Sequence, residues 1–182
     1  MSLALLVIAA VSVVNGPRVR AALPERDPVL VGALGAVVGW VVLVPLAAGA
    51  GLLLDPVVLA ASTVRMAAGV VLLVQGGVAL VLPSPRPEPS LPGRRAALVP
   101  VAFPVTLTPG LGLLAVSGAL DRSAPVALAA VAAALTTIPI LALVRSTGSP
   151  LRTRALAGVA RLTSGALILC GAGLLVNGLF DV

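Results

Sequence analysis

The 182-residue sequence predicts an all-α membrane protein: six transmembrane helices in two inverted three-helix repeats, with the first and fourth helices broken. Three observations carry that expectation. Hydrophobic residues make up 59% of the chain and charged residues only 10%, with a mean hydropathy of +1.18. A soluble domain carries about a quarter charged residues, and a chain of this length has too much surface to cover with fewer. The apolar residues also fall in runs long enough to cross a hydrocarbon core of about 30 Å. Finally, punctuating residues in the second half repeat those in the first.

The runs cover 2–23, 28–54, 57–82, 96–119, 124–144 and 155–180. The first is interrupted at Asn15-Gly16-Pro17. It lacks the basic leader and small-residue cleavage site of a signal peptide, and Arg18 and Arg20 follow the apolar stretch, so it reads as a retained helix. The second and third runs are near-continuous Val, Leu, Ala and Gly. A Pro-rich stretch at 83–95 cannot continue a helix and divides the chain into a first repeat, 1–82, a cytoplasmic linker, 83–95, and a second repeat, 96–182. The fourth run breaks between Pro104 and Gly110, the fifth is continuous, and 145–154 is a polar connector to the sixth.

Arginine supplies orientation. All 12 basic residues are Arg. Ten of them (Arg18, Arg20, Arg26, Arg86, Arg94, Arg95, Arg145, Arg152, Arg154 and Arg161) follow the first, third and fifth runs or begin the next. Only Arg65 and Arg122 fall on the other side. The positive-inside rule then places both termini outside the cytoplasm. Arg65 and Arg161 read as side chains snorkelling to headgroups. The net charge of +6 is scattered between apolar runs, which is not the clustered basic face that nucleic acid requires. Arg without Lys in an Ala-, Val-, Leu- and Gly-rich chain suggests a GC-rich bacterial genome, hence the bacterial inner membrane.

The repeat is read from the third and sixth runs. Arg65-Met-Ala-Ala-Gly69 matches Arg161-Leu-Thr-Ser-Gly165, 96 residues further on, and Gly77 matches Gly173. Pro17, Pro28 and Pro45 have counterparts in Pro109, Pro125 and Pro139. Three spans per half is an odd number, so the halves face opposite ways, as in many secondary transporters. Gly35, Gly39, Gly69 and Gly165 read as close-packing positions. Gln75, Thr136, Thr137, Thr163, Ser164 and Asn177 read as interhelical hydrogen-bonding groups.

Chemistry is scarce. There is no His or Tyr, one Cys (Cys170) and six acids, none in the middle of a run. His- or Cys-based metal sites and Ser-His-Asp or Cys-His catalysis lack members, so no catalytic residue, metal or cofactor is expected and the chain does not read as an enzyme. Ligand groups must come from opened backbone. Phe103-Pro104-Val105-Thr106-Leu107-Thr108-Pro109-Gly110 removes two amide donors within a span, which lipid tolerates only against protein or a wet cavity. Freed backbone groups and the hydroxyls of Thr106 and Thr108 would suit a small polar solute. Helix ends there would hold a carboxylate at one terminus and an amine at the other. Asn15-Gly16-Pro17 is the equivalent break in the first half. The candidate substrate-binding residues are therefore Asn15, Gly16, Pro17, Thr106, Thr108, Pro109 and Gly110.

Val99-Pro100-Val101-Ala102-Phe103-Pro104 with Pro109-Gly110 resembles the motif that opens the second half of MarC-family membrane proteins. Arg65-x-x-x-Gly69 resembles that family's third span, and Arg161 to Gly165 through Asn177-Gly178 its closing span. The resemblance implies the LysE-type transporter superfamily, a pseudo-symmetric 3+3 bundle and the carriage of small neutral amino acids. The chain departs from the family at Asn15-Gly16-Pro17, which replaces Asn-Pro-x-Gly-x-x-Pro, and at Thr108, where glycine is usual. The expected partners are the lipid bilayer and a small amino acid-like substrate, with no nucleic acid and homo-oligomerisation left open. The expected activity is alternating-access transport. The alternative is a non-transporting membrane scaffold that keeps the MarC-type fold.

Overall fold

The computed structural model describes residues 3–24, 27–54, 60–81, 93–146 and 150–180, and the regular elements among them are all helical. In order they are α1 (Leu3–Val13), α2 (Gly16–Ala22), α3 (Pro28–Ala48), α4 (Ala50–Leu54) and α5 (Ala61–Val81). A 3-10 turn, Gly93–Ala97, then leads into a wide π-type coil, Leu98–Thr106. They are followed by α6 (Pro109–Asp121), α7 (Ala124–Ser146) and α8 (Pro150–Phe180). Among the described residues, five segments are long and apolar enough to cross a membrane: Leu3–Ala22, Pro28–Ala48, Ala61–Val81, Ala124–Leu143 and Gly158–Phe180. The pair Arg94–Thr106 and Pro109–Asp121, bent by 65°, makes a sixth if it is one span.

Several boundaries differ from the sequence reading. The run 28–54 divides at Gly49, whose N–H donates to Pro45 O at 2.8 Å and closes α3 before the short α4. Helix α5 starts at Ala61, and residues 57–59 of the expected third run lie outside the described residues. The last begins at Pro150, so residues 150–154 of the expected connector are helical, consistent with proline's pre-set φ at a helix start. Between α2 and α3, Asp27 adopts the left-handed conformation (φ 54°, ψ 48°), which Asp tolerates better than most residues, and Pro28 opens α3. The Pro-rich segment up to residue 92, Arg26, Arg86, Asp55 and Asp181 lie outside the described residues.

The core forms where α1 and α3 pack on α7, around fully buried Leu135, Ile138 and Ala142. Large apolar side chains such as Val41, Leu52, Leu162 and Leu169 remain exposed on the outside. In water such a surface would drive association; against lipid it is matched.

The closest helix pair is α5 with α8, and glycine makes it possible. A Cβ on Gly69 would meet Gly171 O and Leu175 N at 2.7 Å, and one on Gly171 would meet Gly69 O at 2.8 Å. A Cβ on Gly76 would meet Ser164 O, and one on Gly178 Ser62 O, each at 2.9 Å. Two stripes spaced by seven therefore face each other in antiparallel order, Ser62-Gly69-Gly76 against Gly178-Gly171-Ser164. Small residues let backbones approach where lipid supplies no hydrophobic drive. Gly35 and Gly39 serve similarly against Val101 and Leu135. Gly165 does not: nothing lies within 4 Å of a Cβ placed there. It is one residue past Ser164 and hence about 100° around the helix from the stripe.

A polar cavity between the two broken helices

Each break is built in the same way. Asn15 is extended (φ −62°, ψ 102°) and caps α2; its Oδ1 accepts from Arg18 N at 3.4 Å, and Pro17 follows in the first turn. Thr108 is extended (φ −87°, ψ 151°) and caps α6; its Oγ1 accepts from Leu111 N at 3.3 Å, and Pro109 is the first helical residue. Side-chain capping of the amide three residues on satisfies a donor the helix cannot, and proline at the start costs no hydrogen bond. Before the second break, Val99 and Phe103 are extended because each precedes a proline, which opens the coil into its π-type winding.

The two caps meet in one cavity of about 130 Å³, room for several waters or one small solute. Asn15, Arg18, Gln75 and Thr108 supply its polar wall, and Val13, Val74, Val105 and Leu167 are among its apolar lining. Arg18 is exposed at the rim on that side. Among the described residues Gln75 Oε1 is buried without a hydrogen-bond partner, an arrangement that costs about 1–3 kcal/mol. The Gln75 amide lies where a Cβ on residue 110 would have to be, so Gly110 is the floor on which it rests.

The other predicted site residues are placed elsewhere. Thr106 is fully buried, and its hydroxyl donates to Val101 O at 2.6 Å, inside the π-type coil. It satisfies a carbonyl that the wide winding leaves open and does not line the cavity. Gly16 lines a separate, apolar space of about 220 Å³ with Leu141 and Thr163. Pro109 is exposed. Sequence reasoning missed Gln75 and Arg18 as wall groups. Gln75 was legible only as a lone polar residue in an apolar run, and Arg18 as an interfacial cation.

Two further expectations change. Arg65 is not a snorkelling side chain: it forms a forked ion pair with Asp121, Nη2 to Oδ1 at 2.6 Å and Nε to Oδ2 at 3.1 Å. The side chains are 15% and 5% exposed, and the pair ties the start of α5 to the end of α6. A charge inside a span is least costly when paired in this way. The hydroxyls read as interhelical bond makers instead close on their own helices: Thr136 on Ala133 O, Thr137 on Ala134 O, and Thr163 and Ser164 on Ala160 O. A hydroxyl near the preceding turn finds that carbonyl without any partner helix.

Fold and site together define a helical protein with the makeup of a membrane-embedded chain and a polar cavity where two broken helices cross. No family model, curated protein or solved structure matches the chain.

Proposed function

We propose that the chain is a bacterial inner-membrane transporter of small polar solutes, preferring small neutral amino acids and working by alternating access between two inverted three-helix halves. The observation that carries this reading is the cavity that Asn15 and Thr108 line together, each at the break of its helix. A scaffold would have no use for an unpartnered amide oxygen at a polar cavity between such breaks. The MarC-like motifs are consistent with the same reading.

Two contact patterns support the inverted halves and a six-span count. Under exchange of halves, α5 maps onto α8, α3 onto α7, and α1 with α2 onto the π-type coil with α6. Each of these helix pairs is in contact, and the α5–α8 stripes are antiparallel images of each other. Along α6, Gly110 lies beside Gln75 and Asp121 beside Arg65, so α6 runs antiparallel to α5 from its middle to its start. Val101 lies beside Gly35 and Thr106 beside Gly39, so the preceding coil runs along the first half of α3. Arg94 to Asp121 then behaves as one bent span. The arginine distribution supports a reading with both termini outside the cytoplasm.

Reconstituted in liposomes, the protein should take up labelled glycine or alanine above the level of protein-free vesicles. No uptake, together with no binding of any small amino acid, overturns the proposal.

A further inference from the structure

We infer that Gln75 selects solutes that carry an ammonium group, accepting its hydrogen bond through Oε1 while Arg18 holds the carboxylate of the same zwitterion. This rests on the transport reading above and extends it to a residue on α5 that neither break contains.

The composition of the cavity wall sets the requirement. Among the described residues no acid lines the cavity, so an ammonium entering it must be held by neutral oxygens. Two candidates are already engaged, because Asn15 Oδ1 accepts from Arg18 N and Thr108 Oγ1 accepts from Leu111 N. Gln75 Oε1 is buried and accepts from nothing. A buried acceptor kept without a partner gains most from a ligand donor, and a charged donor makes the stronger bond. The terminal torsion of glutamine is broad, so the amide can swing from Gly110 into the cavity when a donor arrives. Arg18 supplies the complementary charge at the rim, and its guanidinium fits a carboxylate in forked geometry. The small volume limits the side chain that such a zwitterion can bring.

The test compares three probes of similar size on the full chain in lipid nanodiscs: alanine, propionate, which lacks the ammonium, and ethylamine, which lacks the carboxylate. Wild-type protein should bind alanine about tenfold or more tighter than either fragment, the worth of one charge-assisted hydrogen bond. Gln75→Leu should lower alanine affinity to the propionate level and leave propionate unchanged. Gln75→Glu, which keeps an acceptor and adds charge, should widen the preference for alanine over propionate. If wild-type protein binds alanine selectively and Gln75→Leu does so equally well, the role of Gln75 is overturned while the site reading stands. A narrowed preference in Gln75→Glu overturns it as well, even if the Leu variant fails to fold. If propionate binds wild-type protein as tightly as alanine, ammonium selection is wrong. If wild-type protein binds none of the three, the site reading falls with it.

Discussion

Two threonines two residues apart do different work. Thr106 gives its proton to Val101 O from a fully buried position. Thr106→Val should therefore cost about 1–2 kcal/mol of stability, read as a lower unfolding temperature in detergent, with alanine affinity unchanged once folded. Thr108 caps α6 and lines the cavity. Thr108→Val should lose about 1 kcal/mol for the cap and also weaken alanine binding. Equal binding losses in both variants would contradict the division. Gly110 follows the same logic, since a methyl group there occupies the space of the Gln75 amide. Gly110→Ala should displace the flexible end of Gln75 at little cost in stability and lower alanine affinity no further than Gln75→Leu does, and in a Gln75→Ala background it should have no such effect. Sequence alone marks both hydroxyls as available, because the direction in which each points depends on the local winding. The π-type coil, set by Pro100 and Pro104, turns the Thr106 hydroxyl back onto the carbonyl of Val101.

At the level of elements, the stripes between α5 and α8 explain why a string match between the two halves does not give the packing register. Arg65-x-x-x-Gly69 and Arg161-x-x-x-Gly165 match as strings, yet Gly69 faces Gly171 and Gly165 faces open space. A string match reports spacing along one helix, whereas packing selects the face that meets the neighbour, and one residue rotates that face by about 100°. Gly69→Leu must push against the backbone of Gly171 and Leu175, so it should destabilise by about 1–3 kcal/mol or more. Gly165→Leu should be close to neutral. Thermal unfolding in detergent reads both, and equal effects would refute the register. The Arg65–Asp121 pair is the other inter-element tie. Removing one partner of a well-buried pair costs about 3–5 kcal/mol, and the 15% exposure of Arg65 puts this case near the lower end. Arg65→Leu and Asp121→Leu should each cost about 3 kcal/mol, and the double variant much less than their sum, as a double-mutant cycle would show.

For the whole molecule, the positions of the cavity and the ion pair bear on sidedness. The cavity is reached beside Arg18 and along the later part of α5, whereas Arg65 and Asp121 join the opposite end of that helix. Under the transport proposal, a molecule open at one end and latched at the other would be one state of an alternating-access cycle, with the open end toward the arginine-rich side. The six-span expectation came from composition and charge, and those signals could not distinguish a broken span from a re-entrant loop. That difference lies in the 65° bend and in which end of α5 receives Asp121. Single cysteines on a Cys170→Ser background decide it. With Arg94→Cys and Arg122→Cys, a membrane-impermeant maleimide added to intact cells should label position 122 and spare position 94. Labelling of both, or of neither while permeabilised cells label both, would place the two positions on one side and make Arg94–Asp121 a re-entrant loop. The two halves would then hold different numbers of spans, and the inverted repeat would be lost with the six-span count.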